Sequence, residues 1–321
     1  MIIIFILSLI FVVWSLTVYL FPWFYVSELA LSFLPYLIVI SIIGLIFWMW
    51  RLRKDKKFSV MILLFGVIFL LFSRKFTSFY QFQTPQYQVD WTWWIKVFYA
   101  NIYMHNTWYD DIKNLITTSN PDVIMFVEFA GHHYDNLKSF LQKDYPYINT
   151  TTWSQKFVGS TVFSKYKINN WADDFPQWAW RYGYFSLNHS GQNYYFYLVH
   201  TSSPITYQYF VMRNKQIQSL FDDFQLHKRA SRLEKDKVIV LGDFNTSPWS
   251  VFYWRFADGF TEKFVNITRT FPLLFTWRFL DFPLVFSHID HIFVNKQVFV
   301  HDLQIMNIPG SDHKWFLFDV K

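Results

Sequence analysis

Residues 2–21, IIIFILSLIFVVWSLTVYLF, carry no charged side chain, and neither do residues 29–50, LALSFLPYLIVISIIGLIFWMW. A helix rising about 1.5 Å per residue crosses a hydrocarbon core of roughly 30 Å with about 20 residues. Both runs are long enough. Residues 58–72, FSVMILLFGVIFLLF, form a shorter third candidate. That run spans if Lys57, Arg74 and Lys75 snorkel, or if it continues toward Tyr80. No basic stretch precedes the first run, and no small-residue cleavage site separates it from the second, so a retained anchor is expected rather than a cleaved signal.

The anchor also accounts for the charge. The net charge is +6, and the loop 51–57 (RLRKDKK) supplies +4 of it. Arg74 and Lys75 add two, and Glu28 subtracts one. Residues 76–321 are left with 22 basic and 21 acidic side chains. The basic pI is therefore no sign of a nucleic-acid-binding surface. It records a short loop between two spans, which the positive-inside rule places in the cytoplasm. With three spans, the larger C-terminal part is expected outside the cytoplasm. There is no cysteine, so disulfides and thiolate metal sites are excluded.

The expected organisation is a transmembrane region over 1–75, a polar and aromatic linker over 76–94, and one domain over 95–321. In that domain, IKVFYAN (95–101), VIMFVEF (123–129), STVFS (160–164), YYFYLVH (194–200), VIVLGDFN (238–245), HIDHIFV (288–294) and WFLFDV (315–320) read as strands. Helices are predicted over 106–119, over 132–142 and within 206–233. The alternation points to a layered α/β domain, with antiparallel pairing among the later strands.

Buried-type strands repeatedly end or begin at polar residues. Asn101, Glu128 and His200 close three of them. Asp243 and Asn245 follow VIVLG, Asp290 precedes HIFV, and Asp312 with His313 precedes WFLF. Singly, each is ordinary: GDxN is a common turn, and a lone His after a strand is usually structural. Together they predict one shared site. Hard oxygen donors without cysteine suit Mg²⁺ or Mn²⁺ better than zinc. Two histidines beside such a metal suit hydrolysis of phosphate esters.

The ordered set ANIY, FVEF, LVHTSSP, GDFN, IDHIFV and GSDH resembles the endonuclease/exonuclease/phosphatase superfamily, in its membrane-anchored bacterial branch. The resemblance covers residues 95–321. It implies a DNase I-like four-layer α/β sandwich, two packed mixed β-sheets flanked by helices, behind the N-terminal transmembrane helices. It implies Glu128, Asn101 and Asp312 at the metal, and Asp243 with Asn245 orienting the attacking water and contacting phosphate. It implies His313 stabilising the phosphoryl transition state, Asp290 orienting His313, and His200 near the scissile phosphate or leaving group. FVEF departs from the family's usual LQE by placing Val127 where Gln stands. Tyr103 occupies a position that is acidic or amide in some nucleases, which argues against a second complete metal site.

The superfamily cleaves nucleic acids, phospholipids and soluble phosphate esters, so the resemblance leaves the substrate open. An integral membrane anchor and a nearly neutral domain favour a lipid or other membrane-proximal phosphate ester. Residues 271–286, FPLLFTWRFLDFPLVF, read either as a lipid-touching loop or as a buried strand with packed turns. An extracytoplasmic nuclease is the alternative; the basic run 227–237 (HKRASRLEKDK) is diluted by Glu234 and Asp236 and reads as a solvated helix end. A third reading is an inactive binding protein on the same scaffold, against which all the site positions are occupied by suitable residues. Nothing in the sequence predicts a protein partner.

Overall fold

The computed structural model describes residues 2–53, 59–80, 94–150, 159–172, 182–229, 236–260, 264–271, 274–279, 282 and 284–321. Most of the 51–57 loop, of the linker and of the segment joining the helix at 207–229 to the next strand lies outside them. In chain order the elements are α1 (Ile2–Leu20), α2 (Tyr25–Leu31), α3 (Leu34–Leu52), α4 (Ser59–Thr77), β1 (Ile95–Asn101), α5 (Tyr109–Ser119), β2 (Val123–Phe129), α6 (Gly131–Leu141), β3 (Tyr147–Thr150) and β4 (Gly159–Ser164). Then come β5 (Ile168–Ala172), β6 (Tyr182–His189), β7 (Gln192–His200), α7 (Tyr207–Arg229), β8 (Lys237–Asp243), α8 (Val251–Phe260), β9 (Phe264–Asn266), β10 (Trp277–Arg278), β11 (Phe286–Ser287), β12 (Asp290–Asn295), β13 (Val300–Asn307) and β14 (Lys314–Val320). A short 3₁₀ turn at Ile267–Thr270 follows β9.

The chain forms two compact units. The first comprises residues 1–84 together with 246–255 and 269–273. Helices α1, α3 and α4 each have 19 residues and are apolar enough to cross a membrane. Their outward faces expose Ile3, Leu7, Ile10, Ile43, Ile46, Leu63 and Leu70, while Ser15 and Ser41 are buried. That pattern is inverted for water and suits lipid. The second apolar run does not form one helix from residue 29. The chain turns at Ser32–Phe33 and restarts with Pro35 in the first turn of α3, where a missing N–H costs nothing. Trp249 is fully buried and stacks on Phe76 at 5.4 Å, and Tyr253 meets Phe79 edge-on at 5.8 Å. The Ser250 hydroxyl donates to the buried Glu28 carboxylate, and Thr246 Oγ1 approaches the same oxygen at 3.4 Å.

The second unit holds both sheets. One runs β13-β14-β1-β2-β4-β3, the other β5-β6-β7-β8-β12-β9. β1 and β2 are parallel across α5, and β7 and β8 are parallel across α7; β14 adds to β1, and β12 to β8, antiparallel. The period of two along β1 sends Ile95, Val97 and Tyr99 into the core between the sheets, where Met125, Phe196, Leu241 and Ile292 meet them. Phe98 and Ala100 point the other way, against Ile112 and Ile116 of α5 and Leu137 of α6. Burial on both faces explains why these strands read as unbroken apolar runs. On the opposite side α7 buries Phe210, Ile217 and Leu220. The result is the four-layer sandwich that the sequence implies.

The parallel pairs matter for function. β1, β2, β7 and β8 all present their C-terminal ends at the same edge, and β12 and β14 begin there. Gly242 in β8 has φ 144°, and a Cβ there would overlap the Val199 carbonyl on β7. Only glycine allows β8 to lie this close to β7 immediately before Asp243.

Candidate active site

Every site residue expected from the sequence sits at this edge. β7 and β8 place His200 directly opposite Asp243, and β8 and β12 place Asp290 opposite Asp243 on the other side. Asn101 is the hub. Its Nδ2 donates to Glu128 Oε1 at 3.1 Å and to Asp243 Oδ2 at 3.2 Å, and lies 3.2 Å from His313 Nε2. Its Oδ1 accepts the Tyr103 N–H at 3.1 Å. The amide nitrogen of Asn101 therefore faces the carboxylates, and its oxygen is engaged by the backbone.

Glu128 stands at a register shift between β2 and β4, with φ 53°. The bulge takes its side chain out of the strand alternation and turns it toward the site. Oε2 accepts the Met104 N–H at 3.1 Å, and Oε1 lies 3.7 Å from His200 Nε2. Burial would raise this carboxyl. The facing His200 and His313, the Asn101 amide and the Met104 N–H outweigh it and hold Glu128 below the usual range.

Asp243 is fully buried. Its Oδ1 accepts the Asn245 N–H at 2.8 Å, and its Oδ2 accepts Asn245 Nδ2 at 3.1 Å. Asn245 has φ 47°, a turn that Asn tolerates better than most residues. It is steadied by donation to the Thr201 carbonyl at 2.9 Å and by Arg213 Nη1, which donates to its own carbonyl at 2.9 Å. Burial and the neighbouring Asp290 push the Asp243 carboxyl well above its usual range, against the pull of His313.

His313 completes a line. Its Nδ1 is 2.9 Å from Asp290 Oδ2, and its Nε2 is 3.8 Å from Asp243 Oδ2. Burial alone would lower this imidazole, but Asp290, through charge and hydrogen bond, outweighs it and raises His313 to about 10. Asp290 is pinned in turn by the Tyr99 hydroxyl, which donates to Oδ1 at 2.8 Å, and by its own N–H donating to Thr276 Oγ1 at 2.9 Å. Asp312 accepts Trp277 Nε1–H on Oδ2 at 2.8 Å, and burial raises its carboxyl.

Tyr99, Thr276, Trp277 and Met104 are functional neighbours that the sequence reading omits. Tyr99 had a signal: it lies two residues before Asn101 and so shares its face of β1. Trp277 opens a two-residue strand and Thr276 stands just before it, too little for any periodicity. Trp277 and Arg278 pair with Ser287 and Phe286. The hairpin beyond them exposes Phe279 by 49%, Phe282 by 55% and Leu284 by 67%. Among the described residues of 271–286 the strands are two residues long each, and Phe279, Phe282 and Leu284 are exposed.

The donor set fits a hard divalent cation. Glu128, His200 and Asp243 offer ligand atoms within 4.8 Å of one another, as do Asp243, Asp290 and His313. Asp312 Oδ1 is buried with no hydrogen-bond partner among the described residues, which suits an oxygen held for a cation.

A parallel-paired sandwich carrying a carboxylate, amide and histidine cluster at one edge defines a class of metal-dependent phosphoester hydrolases. The family model for the Endonuclease/Exonuclease/phosphatase family matches residues 98–313, and the chain belongs to that family. Among solved structures it is similar to a humanized D. rerio TDP2 (16% identity, TM-score 0.56, covering 71% of this chain and 99% of that one). It is also similar to the human Nocturnin catalytic domain with bound sulfate (19%, TM-score 0.53, 73% and 96%). A third is a variant of beta toxin from Staphylococcus aureus with bound magnesium ions (18%, TM-score 0.51, 70% and 98%). At these identities the likeness is one of fold. A search of curated protein sequences gives no match.

Proposed function

We propose that the chain is a membrane-anchored, Mg²⁺- or Mn²⁺-dependent phosphodiesterase whose substrate is a lipid or other phosphate ester at the membrane surface. The observation that carries the lipid reading is the hairpin tip. Phe279, Phe282 and Leu284 stand in solvent only a few residues from Trp277, which is bonded to Asp312. Large apolar side chains at a loop tip gain free energy on entering the headgroup boundary. The same chain carries three helices long and apolar enough to cross a bilayer. Arg278 and Lys314 line a cleft with Asp312 and His313, and supply positive charge for an anionic headgroup.

In this reading Glu128 and Asp312 hold the cation, with Asn101 bridging the neighbouring carboxylates. When bound, the cation supplies Lewis-acid neutralisation of a phosphoryl oxygen. Asp243, positioned by both the N–H and the side-chain amide of Asn245, orients the attacking water and takes its proton. Burial and the neighbouring Asp290 raise the Asp243 carboxyl, which makes it a stronger base than an exposed carboxylate. Protonated His313, aligned by Asp290, donates from Nε2 to a phosphoryl oxygen as charge develops there. His200 faces the leaving-group side.

Replacing Phe279, Phe282 and Leu284 together by Ser is expected to lower hydrolysis of phospholipid in phosphatidylcholine–phosphatidylglycerol vesicles by about tenfold or more. Hydrolysis of bis-p-nitrophenyl phosphate by the same variant should be unchanged. Equal activity on vesicles would sink the lipid reading. Activity on DNA that falls steeply with salt would support a nuclease instead.

The basic character of the 51–57 loop supports an extracytoplasmic catalytic unit. An alkaline phosphatase reporter fused after Lys321 is expected to be active. Signal from a cytoplasm-dependent reporter alone would reverse this assignment.

A further inference from the structure

The loop joining β1 to α5, residues 102–108, holds contacts that the chemistry above does not use. It starts under strain. Tyr103 has φ 62° and Glu128 has φ 53°, a left-handed region costing a residue with a Cβ roughly 1–3 kcal/mol. Such conformations persist only where their surroundings hold them. Met104 joins the two, through its N–H to Glu128 Oε2.

Two adjacent histidines at the start of α6 hold the loop. His132 Nε2 lies 2.8 Å from the Met104 carbonyl, and its Nδ1 lies 2.7 Å from the Tyr109 hydroxyl. His133 is fully buried and accepts the Ala130 N–H on Nδ1 at 2.9 Å. Its proton is therefore on Nε2, which donates to the Asn106 carbonyl at 2.8 Å. Burial and the neighbouring His132 lower His133 to about 4, so it stays neutral in this role.

Asn106 then reaches the turn that precedes Asp312. Its Nδ2 donates to the Pro309 carbonyl at 2.9 Å, and its Oδ1 accepts the Trp108 N–H at 2.9 Å. Gly310 has φ 75°, and a Cβ there would overlap Asn106 Oδ1. The turn at Pro309–Gly310–Ser311 runs straight into Asp312. Asn106 is thus tied on one side to the helix that follows Glu128, and on the other to the turn that delivers Asp312.

We propose that Asn106 and His133 are positioning residues that fix the spacing between Glu128 and Asp312 and thereby set the affinity for the divalent cation. This rests on the reading of Glu128 and Asp312 as the metal-holding carboxylates.

The test is the affinity of the metal-free, detergent-solubilised full chain for Mn²⁺, from the electron paramagnetic resonance signal of the free ion. His133→Asn keeps an acceptor for the Ala130 N–H but falls short of Asn106. His133→Gln reaches both, as Gln does at this position of a capping box. Asn106→Asp keeps the acceptor for Trp108 and loses the donor to Pro309. His133→Asn and Asn106→Asp are each expected to weaken Mn²⁺ binding by about tenfold, with His133→Gln close to the wild type. A merely structural role would lower the unfolding temperature and leave affinity in place. Folded Asn106→Asp protein with wild-type affinity overturns the proposal, as does His133→Gln as weak as His133→Asn. If His133→Asn fails to fold, Asn106→Asp decides alone. A wild-type protein that binds no Mn²⁺ overturns the metal assignment itself, and this proposal with it; wild-type binding with unaffected variants overturns only the proposal.

Discussion

Asp243→Ala is expected to lower phosphodiester hydrolysis by about a thousandfold or more, which corresponds to roughly 4 kcal/mol of transition-state stabilisation. The argument is geometric. Asp243 is the only carboxylate flanked by Asn101, Asn245 and His313 within hydrogen-bond or near-contact distance among the described residues. Its burial is unfavourable for the charged form, so truncation removes a cost of folding along with three acceptor contacts. The variant should therefore fold, and its unfolding temperature should match or exceed that of the wild type in EDTA. Circular dichroism and bis-p-nitrophenyl phosphate turnover with Mn²⁺ check both halves. Residual activity above a tenth of the wild type would mean that water is positioned elsewhere.

His313→Gln and Asp290→Asn should each reduce kcat by about a hundred- to a thousandfold, and the double variant should be little worse than His313→Gln alone. Among the described residues the Asp290 carboxylate accepts the Tyr99 hydroxyl and hydrogen-bonds the His313 imidazole, while its N–H donates to Thr276 Oγ1, and none of these contacts reaches a group placed at the metal. A residue that acts through another adds nothing once that other is gone. Losses that multiply would show that Asp290 contributes to the reaction directly. The sign of the pH response follows from the carboxylates: against burial, Asp290 by charge and hydrogen bond, with Asp243 and Asp312, holds the proton on His313 up to about 10. The metal-free wild type should therefore keep the acid form of this histidine throughout the neutral range.

Much of this arrangement was legible in the chain. β1, β2, β7 and β8 are largely apolar runs that carry their polar residue where the run stops, and β12 and β14 carry theirs where the run starts. That juxtaposition is a consequence of pairing direction: parallel neighbours bring like ends together, β1 with β2 and β7 with β8, and antiparallel neighbours bring the starts of β12 and β14 to the ends of β8 and β1. The order GDFN, ID and SDH therefore translated directly into a cluster. β6 was missed although Ser190–Gly191, with φ 51° and 76°, makes a two-residue hairpin turn with β7. The turn signal was present, but YGYFSLNH lacks a clean alternation to accompany it. β10 and β11 have two residues each and carry no period at all. The helix predicted from residue 106 begins at Tyr109, because Asn106 and its neighbours are spent on ties across the loop. No local pattern announces those ties: they depend on partners at Pro309 and His133.

The grouping of residues 246–255 with the N-terminal helices has a consequence for biosynthesis. The helices are made first, yet Phe76, Phe79 and Glu28 do not meet Trp249, Tyr253 and Ser250 until about 170 further residues have left the ribosome. At about 5–20 residues per second that is an interval of roughly ten to thirty seconds. During it, the Glu28 carboxylate waits for the Ser250 and Thr246 hydroxyls, and residues 246–255 arrive just behind the strand that bears Asp243. The helical unit is completed only when most of the hydrolase unit has been made, so a nascent chain arrested before residue 246 would leave both unfinished.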